Sequence, residues 1–181
     1  MKKYFYILVA LLVLAGIVWL IVTPGKGGKF DQFAQCLRDK KTLTFFGAFW
    51  CPHCQAEKAR FGKSAQYLPY VECSTPDGQN QTKVCIDAKV KTYPTWEFAD
   101  GFSLESATAP HKCTSSPDES SACKANYSPE ISSWTVNGLL VSSSTDPVKK
   151  DNKWSFDPNS RLLGELELAD LAKLTSCVLP Q

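Results

Sequence analysis

Two cysteines separated by two residues follow directly on an apolar run in the stretch FGAFWCPHCQ (46–55). The run TLTFFGAF (42–49) is rich in residues that favour β-strands, and it predicts a buried strand. Pro52 cannot continue a strand but suits the first turn of a helix. The sequence therefore predicts a strand, a turn and a helix that begins at the cysteine pair, and this restricts the chain to folds with a β–α unit there.

The cysteine pair is open to four chemical interpretations. A structural zinc site generally takes four ligands, often from two such pairs, whereas this chain has one such pair and a single further histidine, His111. Attachment of c-type haem requires a histidine directly after the second cysteine, and Gln55 stands there. An inert disulfide between residues three apart is geometrically awkward. A redox-active dithiol formed by Cys51 and Cys54 is the interpretation that fits.

Position on the predicted helix distinguishes the two sulfurs. At the helix N-terminus, Cys51 meets unpaired backbone N–H groups and the positive end of the helix dipole, which favour its thiolate. We therefore expect Cys51 to be the exposed, attacking sulfur and Cys54, one turn later, to be the buried resolving sulfur. His53, in the same turn, adds a positive charge or a hydrogen-bond donor. Because a stabilised thiolate makes the disulfide a stronger oxidant, the motif predicts an oxidising pair.

An uninterrupted apolar segment lies near the N-terminus. The 19 residues from Tyr4 to Val22 contain no charge, and as a helix they extend about 28 Å, close to the hydrocarbon thickness of a bilayer. Lys2 and Lys3 precede the segment, so the positive-inside rule places the N-terminus in the cytoplasm and the rest of the chain outside. We expect an uncleaved, single-pass transmembrane signal anchor at residues 1–22; a cleaved signal peptide is the alternative.

Charge and cysteine content narrow the partners and the compartment. The formal net charge is +2, and Lys2 and Lys3 account for it, so the balanced remainder gives no indication of nucleic-acid binding. Eight cysteines in an exported chain are typical of an oxidising compartment. Six remain outside the dithiol and allow 15 pairings. We expect the structural disulfides Cys73–Cys85 across one turn, Cys113–Cys123, and Cys36–Cys177 between the terminal helices of the domain.

The predicted elements alternate between helices and strands. After a Gly-rich linker at 23–29, the order is helix, strand, helix, strand, helix, strand, strand, helix, which indicates an α/β fold with a mixed sheet over residues 30–181. The segment 102–160 breaks this alternation, since 18 of its 59 residues are Ser or Thr. The strands that flank it are expected to pair as a hairpin, so we interpret it as a folded insertion at the hairpin tip; a disordered loop is the alternative. Within it, SSWTVNGLLVSSS (132–144) predicts two strands around an Asn-Gly turn, with Trp134 and Trp154 available for burial.

The motifs FGAFWCPHCQAEKARFG, LPYVEC, YPTWEFADG and LADLAKLTSC resemble the thioredoxin-like family. The resemblance is closest to the thioredoxin-like domain associated with bacterial homologues of vitamin K epoxide reductase, and it covers about residues 30–101 and 161–180. It implies a thioredoxin fold. It also implies that Cys51, Pro52, His53 and Cys54 form the catalytic motif, with Cys51 as nucleophile, Cys54 as resolver and His53 tuning Cys51.

The same resemblance implies a substrate-binding face. Tyr93–Pro94 is expected to be a cis peptide bond that faces the dithiol, with the backbone beside the proline holding an extended client peptide, and Trp50 is expected to flank the cysteines. The chain departs from cytosolic thioredoxins in one respect: they bury an acid six residues before the first cysteine, where this chain has Phe45. The proton acceptor for the resolving thiol is thereby unassigned. Glu57 is a candidate, although a solvated helix position is its expected role.

These features together predict a membrane-anchored, extracytoplasmic protein thiol–disulfide oxidoreductase that forms disulfides in reduced exported proteins. No small-molecule cofactor and no metal are expected, because the cysteines carry the electrons. The expected redox partner is a quinone-linked membrane protein of the vitamin K epoxide reductase type. The alternatives are a disulfide reductase or isomerase, for instance in cytochrome c maturation, and a non-enzymatic assembly factor that binds copper through the two thiols.

Overall fold

A computed structural model describes residues 2–22, 27–113 and 132–181 of the chain. The helices are α1 (Lys2–Val22), α2 (Asp31–Asp39), α3 (Pro52–Phe61), a 3-10 helix (Gly62–Tyr67), α4 (Lys83–Asp87) and α5 (Leu168–Thr175). The strands are β1 (Leu43–Gly47), β2 (Tyr70–Glu72), β3 (Thr95–Phe98), β4 (Phe102–Glu105), β5 (His111–Cys113), β6 (Ser132–Val136), β7 (Leu139–Ser143), β8 (Val148–Lys150), β9 (Lys153–Phe156) and β10 (Ser160–Leu163).

Seven of these strands form one mixed sheet in the order β2–β1–β3–β10–β7–β6–β5. Strand β1 runs parallel to β2 and antiparallel to β3, and the other pairs are antiparallel. Strands β3 and β10 pair directly, with Trp96 opposite Leu162. The hairpin predicted on either side of the segment 102–160 is therefore confirmed, and the α/β class with a mixed sheet is confirmed with it.

The described parts of the segment 102–160 are folded, and some of its strands extend the main sheet instead of forming a separate insertion. Strands β7, β6 and β5 continue the main sheet beyond β10, while β4, β9 and β8 form a second, three-stranded sheet. The predicted Asn-Gly turn joins β6 to β7, with Asn137 and Gly138 both at positive φ (51° and 78°), as a two-residue hairpin turn requires. Trp134 is buried and Trp154 packs against the core. Residues 114–131, which include Cys123, lie outside the described residues.

The core lies between the sheet and the helices that flank it. On α2, the apolar positions Phe33, Ala34 and Leu37 are buried, as the helical spacing predicts. Phe45 from β1 stacks on Trp96 from β3 at 4.5 Å between ring centroids, and both are inaccessible to solvent. Cys36 of α2 is bonded to Cys177 just after α5, so this predicted disulfide is confirmed and connects the first and last helices of the domain.

The N-terminal segment is helical, as predicted, from Lys2 to Val22. In the described part of the chain, none of the helices has the combination of length and apolar character that a bilayer-spanning segment requires.

Candidate active site

The dithiol lies where β1 ends and α3 begins. Cys51 occupies the N-cap position of α3 with an extended backbone, and Pro52 takes the first helical position, as the sequence predicts. The Cys51 N–H donates to the Ala48 carbonyl at 3.0 Å, and the Cys51 carbonyl accepts from Gln55 N–H at 3.0 Å. These bonds fix the turn between strand and helix, so Cys51 sits at the helix N-terminus.

Both sulfur-bearing side chains are buried, with 5% of Cys51 and 1% of Cys54 exposed. The prediction of an exposed Cys51 is therefore wrong in degree, although Cys51 is the more accessible of the two. The partly buried Tyr93 packs against the cluster that Ala48, Cys51 and Cys54 form. The Cys51 thiol lies 3.8 Å from the Tyr93 carbonyl oxygen and donates to it.

Burial dominates the chemistry of the second cysteine. Burial raises the pKa of the Cys54 thiol to about 12. The hydrogen bond to the Ala48 backbone and the charge of Lys58 act in the opposite direction and lower this pKa. The sulfur also lies close to strand β1: a Cβ atom at Gly47 would lie 2.9 Å from Cys54 Sγ and 2.8 Å from Tyr70 Cε2. Real Cβ atoms do not approach other atoms so closely, so only glycine at position 47 lets the sulfur and the Tyr70 ring pack here.

The predicted substrate-binding residues come together beside the dithiol. Tyr93–Pro94 is a cis peptide bond, as expected, and Trp50 contacts Tyr93 edge to face at 6.1 Å. The indole N–H of Trp50 donates to Ser74 Oγ at 2.8 Å, which fixes a side chain that is half exposed. A small pocket of about 160 Å³ opens between Trp50, Tyr93 and the loop at 78–81. The carbonyl of Pro94 is already bonded to Gly164 N–H at 2.9 Å, so Tyr93 supplies the backbone carbonyl that faces Cys51.

His53 is part of a charged cluster that sequence reasoning missed. Its Nδ1 lies 2.7 Å from Glu165 Oε1, and Arg60, two turns later on α3, contacts the other oxygen of Glu165 at 2.8 Å. The hydrogen bond from His53, together with Arg60, lowers the pKa of Glu165. Glu165 therefore fixes the position of the imidazole. No local pattern indicates this contact, since 112 residues separate the pair.

Glu57 corrects a second expectation. Its side chain is 0% exposed, whereas a solvated position was predicted. Oε2 accepts from Leu166 N–H at 3.1 Å, while Oε1 has no hydrogen-bond partner in the described structure. Burial raises the pKa of this carboxyl to about 7, opposed by the Leu166 N–H and Arg60. The Trp96 indole also lowers the pKa of Glu57. Its Nε1 atom has no hydrogen-bond partner in the described structure, so this effect does not come from a formed hydrogen bond.

The remaining cysteines are structural in position. Cys73 and Cys85 form a disulfide with a Cα–Cα distance of 5.5 Å, which confirms the predicted pair, and both residues are fully buried. Cys113 is also disulfide-bonded; its predicted partner, Cys123, lies outside the described residues. Of the described cysteines, Cys51 and Cys54 alone are free thiols, so they are the two that are open to redox exchange.

Comparison with known proteins agrees with this geometry. A family model described as Thioredoxin matches residues 25–132, more than half of the chain. The thiol-disulfide oxidoreductase LTO1 of Arabidopsis thaliana is 45% identical over 60 residues, covering 30% of this chain and 16% of that protein. A thioredoxin domain-containing protein 5 homolog of Drosophila melanogaster is 30% identical over 83 residues, covering 41% of this chain and 19% of that protein. The chain thus spans less than a fifth of the length of either relative.

Proposed function

The chain belongs to the thioredoxin family, and on that premise we propose that it is a protein thiol–disulfide oxidoreductase that oxidises exported proteins through the Cys51–Cys54 disulfide. The main support for the proposal is the cysteine pair Cys51 and Cys54. Two free thiols lie three residues apart at a helix N-terminus, while the other described cysteines are in disulfides. The half-exposed Trp50 and the Tyr93 carbonyl supply a face for an extended client peptide.

The proposed reaction uses the enzyme disulfide as the oxidant. A client thiolate attacks Cys51 Sγ, a client–Cys51 disulfide forms, and the electron pair of the broken bond leaves on Cys54, which then takes up a proton. A second client thiolate attacks the client sulfur of this mixed disulfide and expels Cys51 as a thiolate, which then takes up a proton. The client loses two electrons and two protons, and the enzyme ends as a dithiol.

Two features support oxidation over reduction as the direction. The sulfur that is expelled in the second step belongs to the N-cap residue of α3, at the positive end of the helix dipole. The buried strand acid of cytosolic thioredoxins is replaced by Phe45, which packs on Trp96. A disulfide reductase or isomerase is the competing assignment. A reductase deprotonates the resolving thiol in every attack on a client disulfide, and the base at the strand that would assist this step is absent. An oxidase deprotonates that thiol only when its own dithiol is reoxidised.

Location and redox partner complete the proposal, and both rest on the amino-acid sequence. The uncharged run from Tyr4 to Val22 after Lys2 and Lys3 favours a single-pass anchor with the domain on the extracytoplasmic side. There the reduced dithiol would be reoxidised by a quinone-linked membrane protein of the vitamin K epoxide reductase type. Alkaline extraction of cell membranes tests the anchor: the chain should stay with the lipid, and its release into the supernatant would contradict this part of the proposal.

The direction of electron flow is tested with one protein and two assays. The oxidised full chain, mixed with a reduced and unfolded model client, should form client disulfides in stoichiometric amount within minutes and should accumulate as the dithiol. The reduced full chain should be a poor reductant of insulin disulfides. The opposite outcome, rapid insulin reduction together with no oxidation of the client, would establish the reductase assignment instead.

A further inference from the structure

The charged side chain of Lys58 lies near the buried resolving sulfur, Cys54, and has no assigned role in the proposed exchange reaction. Lys58 follows Cys54 by four residues on α3, so the two side chains share a helix face. Its ammonium lies 3.2 Å from the centroid of the Tyr70 ring, and the residue is only partly exposed. Lys58 therefore holds its charge against an aromatic face and is only partly surrounded by water.

Tyr70 connects this cation to the sulfur. The edge of its ring and Cys54 Sγ both lie within 3 Å of the point where a Cβ atom of Gly47 would stand, so the ring and the sulfur are close neighbours across the bare glycine. The Tyr70 hydroxyl donates to Glu72 Oε2 at 2.8 Å. Glu72 Oε1 in turn accepts from Phe49 N–H at 3.1 Å and from Ser74 N–H at 2.9 Å.

These bonds leave Tyr70 with a fixed orientation. The hydroxyl is held by Glu72, which is itself anchored to the loop before Cys51, and the ring face is then available to Lys58. The electrostatics agree with this placement: burial lowers the pKa of Lys58, while Glu72 and the Cys54 thiolate raise it. Lys58 in turn lowers the pKa of Cys54.

We propose that Lys58, held over Tyr70, stabilises the negative charge that appears on Cys54 when the Cys51–Cys54 bond breaks or re-forms. The inference rests on the proposed exchange at this disulfide. When a client thiolate attacks Cys51, the electron pair leaves on a sulfur that is 1% exposed, so water cannot solvate it. In the reverse step, Cys54 must lose its proton and attack the mixed disulfide as a thiolate. A nearby cation lowers the barrier in both directions.

The proposal predicts a kinetic effect and a small equilibrium effect. At neutral pH, Cys54 of the reduced pair is a thiol, because burial raises its pKa to about 12. Removing the cation therefore leaves the midpoint potential at pH 7 nearly unchanged. It slows every step in which Cys54 carries charge, by about tenfold if the cation is worth about two pKa units at that sulfur and about half of the charge is present in the transition state.

The test compares Lys58→Met with Lys58→Arg and with Lys63→Met, which removes an exposed lysine nearby on the 3-10 helix. The oxidised full chain is mixed with excess glutathione, quenched with acid and followed by mass spectrometry as the disulfide opens. Lys58→Met should open about tenfold more slowly than the parent, Lys58→Arg should restore the rate to within about twofold, and Lys63→Met should match the parent. In a Cys54→Ala background, adding Lys58→Met should leave the alkylation rate of Cys51 unchanged, which shows that the fold around the dithiol is intact.

Two results would overturn the inference: an unchanged opening rate in Lys58→Met, or a loss in Lys58→Arg as large as that in Lys58→Met. The second would mean that the shape of lysine matters and its charge does not. Failure of the proposed function gives a different result, because the oxidised parent chain would then leave a reduced client unoxidised, whatever the rate at which glutathione opens its disulfide.

Discussion

Replacing Cys51 with serine is expected to abolish thiol–disulfide exchange, with a loss of at least about 1,000-fold in the rate of client oxidation. The other free thiol of the described residues, Cys54, is left without the partner with which it forms the enzyme disulfide. Cys54→Ala should behave differently. This variant keeps Cys51 at the helix N-terminus but cannot form the enzyme disulfide, so it cannot oxidise a client. Its Cys51 thiolate can still attack a client disulfide, and it lacks the buried sulfur that reverses that step. It should therefore accumulate mixed disulfides with client proteins, visible as adducts that disappear on reduction.

The control for this pair is the double variant Cys36→Ser/Cys177→Ser. It removes a disulfide between residues 141 positions apart, and it should lower the free energy of unfolding by about 2–4 kcal/mol. Exchange activity of the folded fraction should remain. If Cys54→Ala captures no client, or if the control loses activity while folded, the assignment of roles to the cysteines is wrong.

The second large effect concerns Glu57 and stability. The pKa of this carboxyl is raised from 4.5 to about 7 by burial. The unfolded chain therefore releases the proton between pH 4.5 and 7 while the folded chain keeps it, so the free energy of unfolding falls as pH rises through this window. The full difference corresponds to about 3 kcal/mol of stability that is present below pH 4.5 and lost above pH 7.

Glu57→Gln removes this titration. The free energy of unfolding of Glu57→Gln, minus that of the parent, should increase by about 3 kcal/mol between about pH 4.5 and pH 8. Denaturant unfolding of both chains at the two pH values measures it, with the dithiol kept oxidised throughout. Other carboxyls, such as Glu165, titrate in both chains and cancel in the difference. A difference that stays constant with pH would show that Glu57 ionises in the folded protein as it does in the unfolded one.

Local sequence patterns predicted the parts of the fold that depend on neighbouring residues. Pro52 indicated the start of α3, and the Asn137–Gly138 pair indicated the hairpin between β6 and β7, because both reflect backbone preferences that act over a few residues. The disulfides Cys36–Cys177 and Cys73–Cys85 were also anticipated, although only the predicted order of elements distinguished them from the other pairings. The cis bond before Pro94 came from family resemblance and not from local chemistry.

The errors have a common physical origin, which is packing between distant segments. Glu57 is buried where the loop before α5 bonds to it through Leu166 N–H, and the sequence around Glu57 is too polar to indicate an apolar face. Its spacing is the one signal that was available: Cys54, Glu57 and Phe61 are the buried residues of α3, three and four residues apart. The contact of His53 with Glu165 and the continuation of the sheet beyond β10 depend on segments that are distant in the chain, which periodicity does not encode.

The account depends on Cys51 and Cys54 being a reversible redox pair that is separate from the structural disulfides. The direct test is a titration of the full chain in glutathione buffers of graded potential, followed by alkylation and mass spectrometry of each cysteine. Cys51 and Cys54 should change together, with a midpoint closer to about −120 mV than to about −270 mV, while Cys36–Cys177 and Cys73–Cys85 stay oxidised. A pair that remains reduced in the most oxidising buffer, or that opens only together with those two disulfides, would contradict the account.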